Sequence, residues 1–215
     1  MEVLPALLLF TASASFTPGP NNIMIMSSGL NFGIRPSLPH LCGICVGVAV
    51  MLMAIGSGAG YLFARYPYIH EVIKIIGVCY LSYLAWRIAT SAPNKHADNL
   101  AKPLTFMQAA LFQWLNPKAL ILGASAIATF TSIGSDLAPQ IALIVLVFFL
   151  MAWPAVATWL LFGAGLRRVL RNPMHQRWFN IAMGLLLMVS MYQIIIELAR
   201  RYFAWITQVA VDLVV

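Results

Sequence analysis

The stretch Thr17-Pro18-Gly19-Pro20-Asn21-Asn22 lies inside an apolar run from about Val3 to Leu30. Proline lacks the N–H that an interior helical turn needs and clashes with the carbonyl four residues back. Glycine brings backbone freedom that a helix must freeze. In water this stretch would be an ordinary loop. In a hydrophobic segment the constraint is tighter, because irregular backbone survives at membrane depth only where protein or a water-filled cavity covers it. A second break, Asn116-Pro117-Lys118, interrupts the apolar run 106–131. The expectation is that the two breaks face one another and form a substrate site.

Composition supports the membrane setting. The chain of 215 residues is 61% hydrophobic and only 9% charged, against about 25% charged in a soluble domain. A spanning helix needs roughly 20 mostly apolar residues. Six runs qualify, at about 3–30, 41–64, 70–91, 106–131, 138–163 and 179–199. The predicted fold is all-α, a polytopic membrane bundle of six transmembrane helices with the first and fourth broken. Loops are expected at 31–40, 65–69 and 132–137, and longer polar ones at 92–105 and 164–178. The tail from Arg200 either extends the sixth helix or lies in the interface. Ala12-Ser13-Ala14 resembles a signal-peptide cleavage site, but the early part carries only Glu2 and no basic residue, so a retained first helix is expected.

The net charge of +7 raises the question of nucleic acid. The basic residues are scattered between apolar runs, so orientation in the bilayer explains them better and no nucleic-acid partner is expected. With the N-terminus outside, the inner segments hold Arg35, Arg87, Lys95, Lys102, Arg167, Arg168, Arg171 and Arg177. The outer ones hold Arg65, Arg200 and Arg201. Both termini are therefore predicted outside. Three helices per half, each half opening with a broken helix, suggest two inverted-topology repeats in one domain, 1–215. The halves run over about 1–91 and 106–199, joined by a linker at 92–105.

Each break contains the parts of an anion site. Proline at a first helical position wastes no donor and has φ already set. Pro20 thus starts a half-helix whose free N–H groups and positive dipole end point into the gap, a setting suited to a carboxylate. Asn21 and Asn22 add amide donors and acceptors. A proline kink used only for packing would not need Pro18, Gly19 and Pro20 together with two asparagines. At the second break Asn116 suits an N-cap and Pro117 the first helical position. Lys118 follows directly, and an intramembrane lysine marks a functional site by default. It either pairs with a substrate carboxylate or carries a proton; the plainer reading is a lysine that snorkels to the interface.

The chain resembles the LysE/RhtB family of bacterial amino-acid exporters. The likeness is carried by Thr17-Pro18-Gly19-Pro20-Asn21, Ser28-Gly29, Phe32-Gly33, Gly43-Ile44-Cys45-Val46-Gly47, the stretch Ile75 to Arg87, and Leu115-Asn116-Pro117-Lys118-Ala119. The resemblance implies a multi-pass inner-membrane carrier without a cofactor. It would export amino acids or close derivatives on an ion gradient, with the proton as the expected coupling ion. It carries over to Pro18, Gly19, Pro20, Asn21, Asn116, Pro117 and Lys118 as motif positions. One position departs: where many members carry an acidic residue after the glycines of the second helix, Val48 stands here. The helix middles lack Asp and Glu, which weighs against a cationic substrate and favours neutral ones such as leucine, threonine or homoserine. The expected site is Thr17, Pro18, Gly19, Pro20, Asn21, Asn22, Asn116, Pro117 and Lys118.

Other features have simpler readings. Glu71 and Glu197 sit near helix ends, within helical pairing distance of Lys74 and of Arg200 and Arg201. The pairs Gly29/Gly33, Gly43/Gly47 and Gly56/Gly60 let helices approach closely, which is compatible with a homodimer. His40, Cys42 and Cys45 are the competing constellation. They raise a soft-metal exporter or a membrane thiol–disulfide carrier as alternatives, though buried inert thiols are the simpler account. No nucleotide-binding loop or catalytic constellation is present.

Overall fold

The computed structural model describes residues 3–59, 65–91, 102–132, 136–170 and 172–212. Lys95, Arg171, the end of the run 41–64, and most of the linker 92–105 lie outside the described residues. The described chain is a helical membrane bundle. Its helices are α1 (Val3–Phe16), α2 (Pro20–Phe32), α3 (Ile34–Ala54), α4 (Pro67–Ala89), α5 (Phe106–Phe112), α6 (Pro117–Phe130), α7 (Leu137–Val169), α8 (Pro173–Ser190) and α9 (Tyr192–Asp212). A π-helical turn, Ile55–Ala59, continues α3, and a 3-10 turn, Gln113–Leu115, follows α5.

Helix pairs form around the expected breaks. α1 and α2 meet at 51° across residues 17–19 and together have the length and apolarity of one span. α5 and α6 flank the second break; α6 alone, at 14 residues, is too short to cross. Thr105 and Gln108 start α5 with a capping box, which satisfies two otherwise unpaired N–H groups. α3, α4 and α7 are each long and apolar enough to cross alone.

A third break was not expected. α8 and α9 form another bent pair, at 46°, hinged at Met191. No Pro or Gly marks it. Ser190 Oγ instead donates to Leu187 O at 2.7 Å, a back-bond of the kind that bends helices. The tail beyond Arg200 continues α9 as helix to Asp212.

Two expected loops are largely helix. The 31–40 loop shrinks to Gly33, whose φ of +87° turns the chain from α2 into α3. Pro36 falls in the first turn of α3, where no N–H is required. Gly33 is therefore a turn residue, a role the packing reading of Gly29/Gly33 missed. The 164–178 loop reduces to the few residues between Val169 and Pro173. At 33 residues α7 is about 50 Å long, well beyond a hydrocarbon core of about 30 Å. Its last turn, with Arg167 and Arg168, is the helix continuing past the apolar boundary, and the basic residues suit its negative dipole end.

α2 is central and packs most extensively on α7. The crossing depends on two glycines: a Cβ on Gly29 would lie 2.4 Å from Leu160 O, and one on Gly163 would lie 2.0 Å from Met26 O. Gly43 and Gly47 hold α3 equally close to α5, where Cβ atoms would meet Phe106 O at 2.3 Å and Ala110 Cα at 2.6 Å. Helices without a hydrophobic drive between them associate through such close backbone packing.

Glu71 and Glu197 each pair with a cation on a neighbouring helix. Lys74 Nζ donates to Glu197 at 2.7 Å, and Arg201 pairs with Glu71. Both bridges tie α4 to α9. Helical spacing made local partners available, and the side-by-side arrangement of α4 and α9 supplies these partners across helices. Cys45 is buried in the core with Ile44, Cys42 is half-buried, Cys79 is exposed, and all three are free thiols.

Candidate functional site

At the first break α1 ends at Phe16, Gly19 is fully extended (φ −175°, ψ −179°), and Pro20 opens α2 at its first helical position. The carbonyls released at the end of α1 find side-chain donors. Asn22 Nδ2 donates to Ser15 O at 2.8 Å and to Thr17 O at 3.0 Å. Lys118 Nζ donates to Thr17 O at 2.7 Å and more weakly to Pro18 O at 3.4 Å. The Thr17 hydroxyl turns back to Ser13 O. Asn22 thus secures its own break, while Lys118 bridges the two breaks from a hundred residues away.

At the second break the 3-10 turn tightens the chain after α5, Asn116 is extended (φ −88°, ψ 102°), and Pro117 opens α6. Asn116 occupies the N-cap position, but its side chain makes no capping hydrogen bond. It is buried, and its Oδ1 has no partner. A buried, unpaired acceptor costs about 1–3 kcal/mol, so this atom is poised to accept a hydrogen bond from a ligand or water.

Gln113 is a site residue that sequence reasoning missed. It is wholly buried and forms a reciprocal amide pair with Asn21, Nδ2 to Oε1 at 2.8 Å and Nε2 to Oδ1 at 3.2 Å. Its Nε2 also donates to Ala109 O at 2.9 Å. A glutamine three residues before Asn116 in an apolar run was the available signal, since polar side chains between membrane helices seek partners.

The breaks enclose a cavity of about 80 Å³, room for several waters. Gly19, Pro20, Asn21, Asn22, Asn116 and Lys118 line its polar side. Val48, Leu52, Leu122, Phe148, Ala152 and Val156 form much of its apolar wall. Thr17 and Pro18 contribute backbone carbonyls at the edge through Lys118. Pro117 lines a separate, mostly apolar cavity of about 170 Å³ beside Gly77 and Leu115. The absence of a side chain at Gly19 accommodates the lysine, because a Cβ there would lie 2.8 Å from Lys118 Cδ. The geometry therefore offers one ammonium, one unpaired amide oxygen and two helix N-termini beside a neutral wall. Among the described residues no three His, Cys, Asp or Glu side chains converge to hold a metal ion.

Residues 12–197 match the model of the LysE type translocator family. The cysteine/O-acetylserine efflux protein of Escherichia coli strain K12 is 29% identical over 185 residues, covering 86% of this chain and 93% of the relative. The protein of that name from Shigella flexneri aligns with the same identity and coverage, and that of Escherichia coli O1:K1 is 28% identical over the same share. No solved structure matches the chain. The broken helices, the cavity between them and the family match over most of the chain agree: this protein belongs to the LysE type translocator family, as a multi-pass exporter of amino-acid type in the bacterial inner membrane.

Proposed function

We propose that the chain is a secondary transporter that exports small neutral amino acids or their derivatives, with the proton as coupling ion. The observation that carries this reading is Lys118. Its ammonium rests on the carbonyls of Thr17 and Pro18, the acceptors that a substrate ammonium would use. The protein's own cation thus sits where the substrate's would bind. When an amino acid enters, its ammonium takes these carbonyls and Asn116 Oδ1, and Lys118 turns to the carboxylate. The free N–H groups opening α2 and α6 add to that carboxylate site.

The neutral wall supports the choice of side chain. Val48 lies on the cavity, so the acidic residue expected there from the family resemblance has no counterpart, and a lysine- or arginine-type side chain would find no negative partner. The relatives' names concern cysteine and O-acetylserine, small and neutral like the leucine, threonine or homoserine expected from sequence. The two halves, 1–91 and 106–199, act as inverted repeats that rock about the cavity, with both termini outside. The free thiols and the lack of a metal cluster among the described residues give no specific support to metal export or disulfide exchange.

The test is export from cells fed dipeptides, with and without the protein, followed by counterflow in proteoliposomes. The panel comprises O-acetylserine, cysteine, threonine, homoserine, leucine, lysine and arginine. Neutral members are expected to accumulate outside. Transport confined to lysine and arginine, or of cadmium alone, would overturn the proposal.

A further inference from the structure

A second polar cavity, of about 50 Å³, lies along the other end of α2. Ser27, Ser28 and Asn31 of α2 line it, as do His40 of α3, Arg87 of α4 and Lys102. Pro20 and Asn31 are eleven residues apart on α2, about 16 Å at 1.5 Å per residue. Asn22 at the central cavity and Ser27 here are five residues apart, about 7.5 Å by the same rise.

Two buried polar atoms are unpaired here. Ser27 and His40 are 2% and 1% exposed, and neither Ser27 Oγ nor His40 Nε2 has a hydrogen-bond partner. His40 Nδ1 is engaged with Ser28 Oγ at 3.0 Å. When Nδ1–H donates to that serine, Nε2 is left as an acceptor. Orphaned buried groups are rare and are normally met by water, an ion or a ligand.

The surroundings are rigid and positive. Asn31 and Asn180 form a reciprocal amide pair, both bonds 3.0 Å, and Asn180 also holds Ser91 O at 3.1 Å. These contacts tie α2 to α8, and α8 to the chain just past α4, beside the cavity. The half-buried Arg87 has its guanidinium 5.8 Å from the centre of the Tyr83 ring, and Lys102 is exposed. Neither cation has a carboxylate partner among the described residues. The lining thus supplies two cations and two hydroxyl or imidazole acceptors, partners for the two ends of a zwitterion.

We propose that this cavity is a second amino-acid station, separate from the central one. Arg87 and Lys102 take the carboxylate, and Ser27 Oγ and His40 Nε2 accept from the ammonium. In the orientation proposed above it opens to the cytoplasm and loads substrate before transfer to the breaks. The inference rests on the amino-acid exporter reading.

The experiment measures equilibrium binding of radiolabelled O-acetyl-L-serine and L-threonine to the purified full chain in mild detergent. Two sites per chain are expected for the wild type, one for Lys118→Met, one for Arg87→Gln/Lys102→Gln, and none for the three changes combined. Lys102 is exposed, so Lys102→Gln alone preserves the fold. It should weaken the second site about threefold, as expected for an exposed charge. A single site that is lost in Lys118→Met and unchanged by the Arg87 and Lys102 substitutions would overturn the second station while leaving the exporter reading intact. Substitutions that alter only retention on anionic-lipid vesicles would assign the cations to headgroups and overturn it too. A wild-type protein that binds no amino acid on the panel would overturn both readings.

Discussion

Replacing Lys118 by methionine separates the stability of the central cavity from its binding function. The substitution removes the hydrogen bonds from Nζ to Thr17 O and Pro18 O. Bonds to a charged donor contribute about 1.5–3 kcal/mol. Thr17 O keeps its bond from Asn22 Nδ2, so only Pro18 O loses its donor. Against this loss, a lysine at the centre of a membrane helix costs about 2.5–3.5 kcal/mol on insertion scales. The two nearly cancel, and Lys118→Met should insert and unfold much like the wild type. Binding does not cancel. Truncating one side of a desolvated charge pair costs about 2–5 kcal/mol, and half-burial of Lys118 argues for the low end. At about 1.4 kcal/mol per tenfold, 2 kcal/mol weakens substrate half-saturation roughly 30-fold. Lys118→Arg retains part of the activity if a fixed cation is all that is needed; it fails as fully as methionine if Lys118 must release a proton, because arginine does not deprotonate in proteins. Gly19→Ala reaches the same group without touching its charge. The extended backbone at Gly19 accepts alanine, but the new Cβ would lie 2.8 Å from Lys118 Cδ and 3.2 Å from Nζ, so the flexible lysine must move. A smaller loss than in Lys118→Met is expected. The assay is gradient-driven efflux from proteoliposomes across substrate concentrations, with thermal unfolding measured on each variant. Full efflux with unchanged half-saturation in Lys118→Met would refute both the carboxylate and the proton role.

Three further outcomes follow from the packing and topology. Gly163→Ala should lower stability by about 1–3 kcal/mol, the cost of overpacking, because its Cβ would meet Met26 O at 2.0 Å; thermal unfolding in detergent reads this, and a neutral result would remove the close α2–α7 crossing. Reporter fusions or cysteine labelling should place Lys102–Thr105 and the segment between α7 and α8 in the cytoplasm and both termini outside, and an external α7–α8 connection would reverse the orientation. A variant with Cys42, Cys45 and Cys79 replaced by alanine should retain amino-acid efflux, since none of the three lines the central cavity; loss of transport in a folded Cys-free protein would restore the thiol and soft-metal readings.

The parts of this protein legible in the sequence were those governed by local backbone chemistry and by hydropathy. Pro20 and Pro117 start half-helices wherever they are placed, because each ring presets φ and removes an N–H. Long apolar runs report spans for an equally local reason: hydrocarbon accepts only a backbone whose polar groups are satisfied within the segment. Tertiary structure decided everything that depends on partners far along the chain. Gln113 meets Asn21 across 92 positions, Lys118 reaches Thr17 across 101, and Lys74 meets Glu197 across 123. No local pattern selects among such partners, because the choice is made by which helix faces pack together. Likewise the bend at Met191 carries no Pro or Gly, and the α7 extension past residue 163 follows helix continuity where hydropathy stops. The unpaired Ser27 Oγ is the clearest case: the residue looks ordinary in the sequence, and only burial without a partner marks it as a place for a ligand.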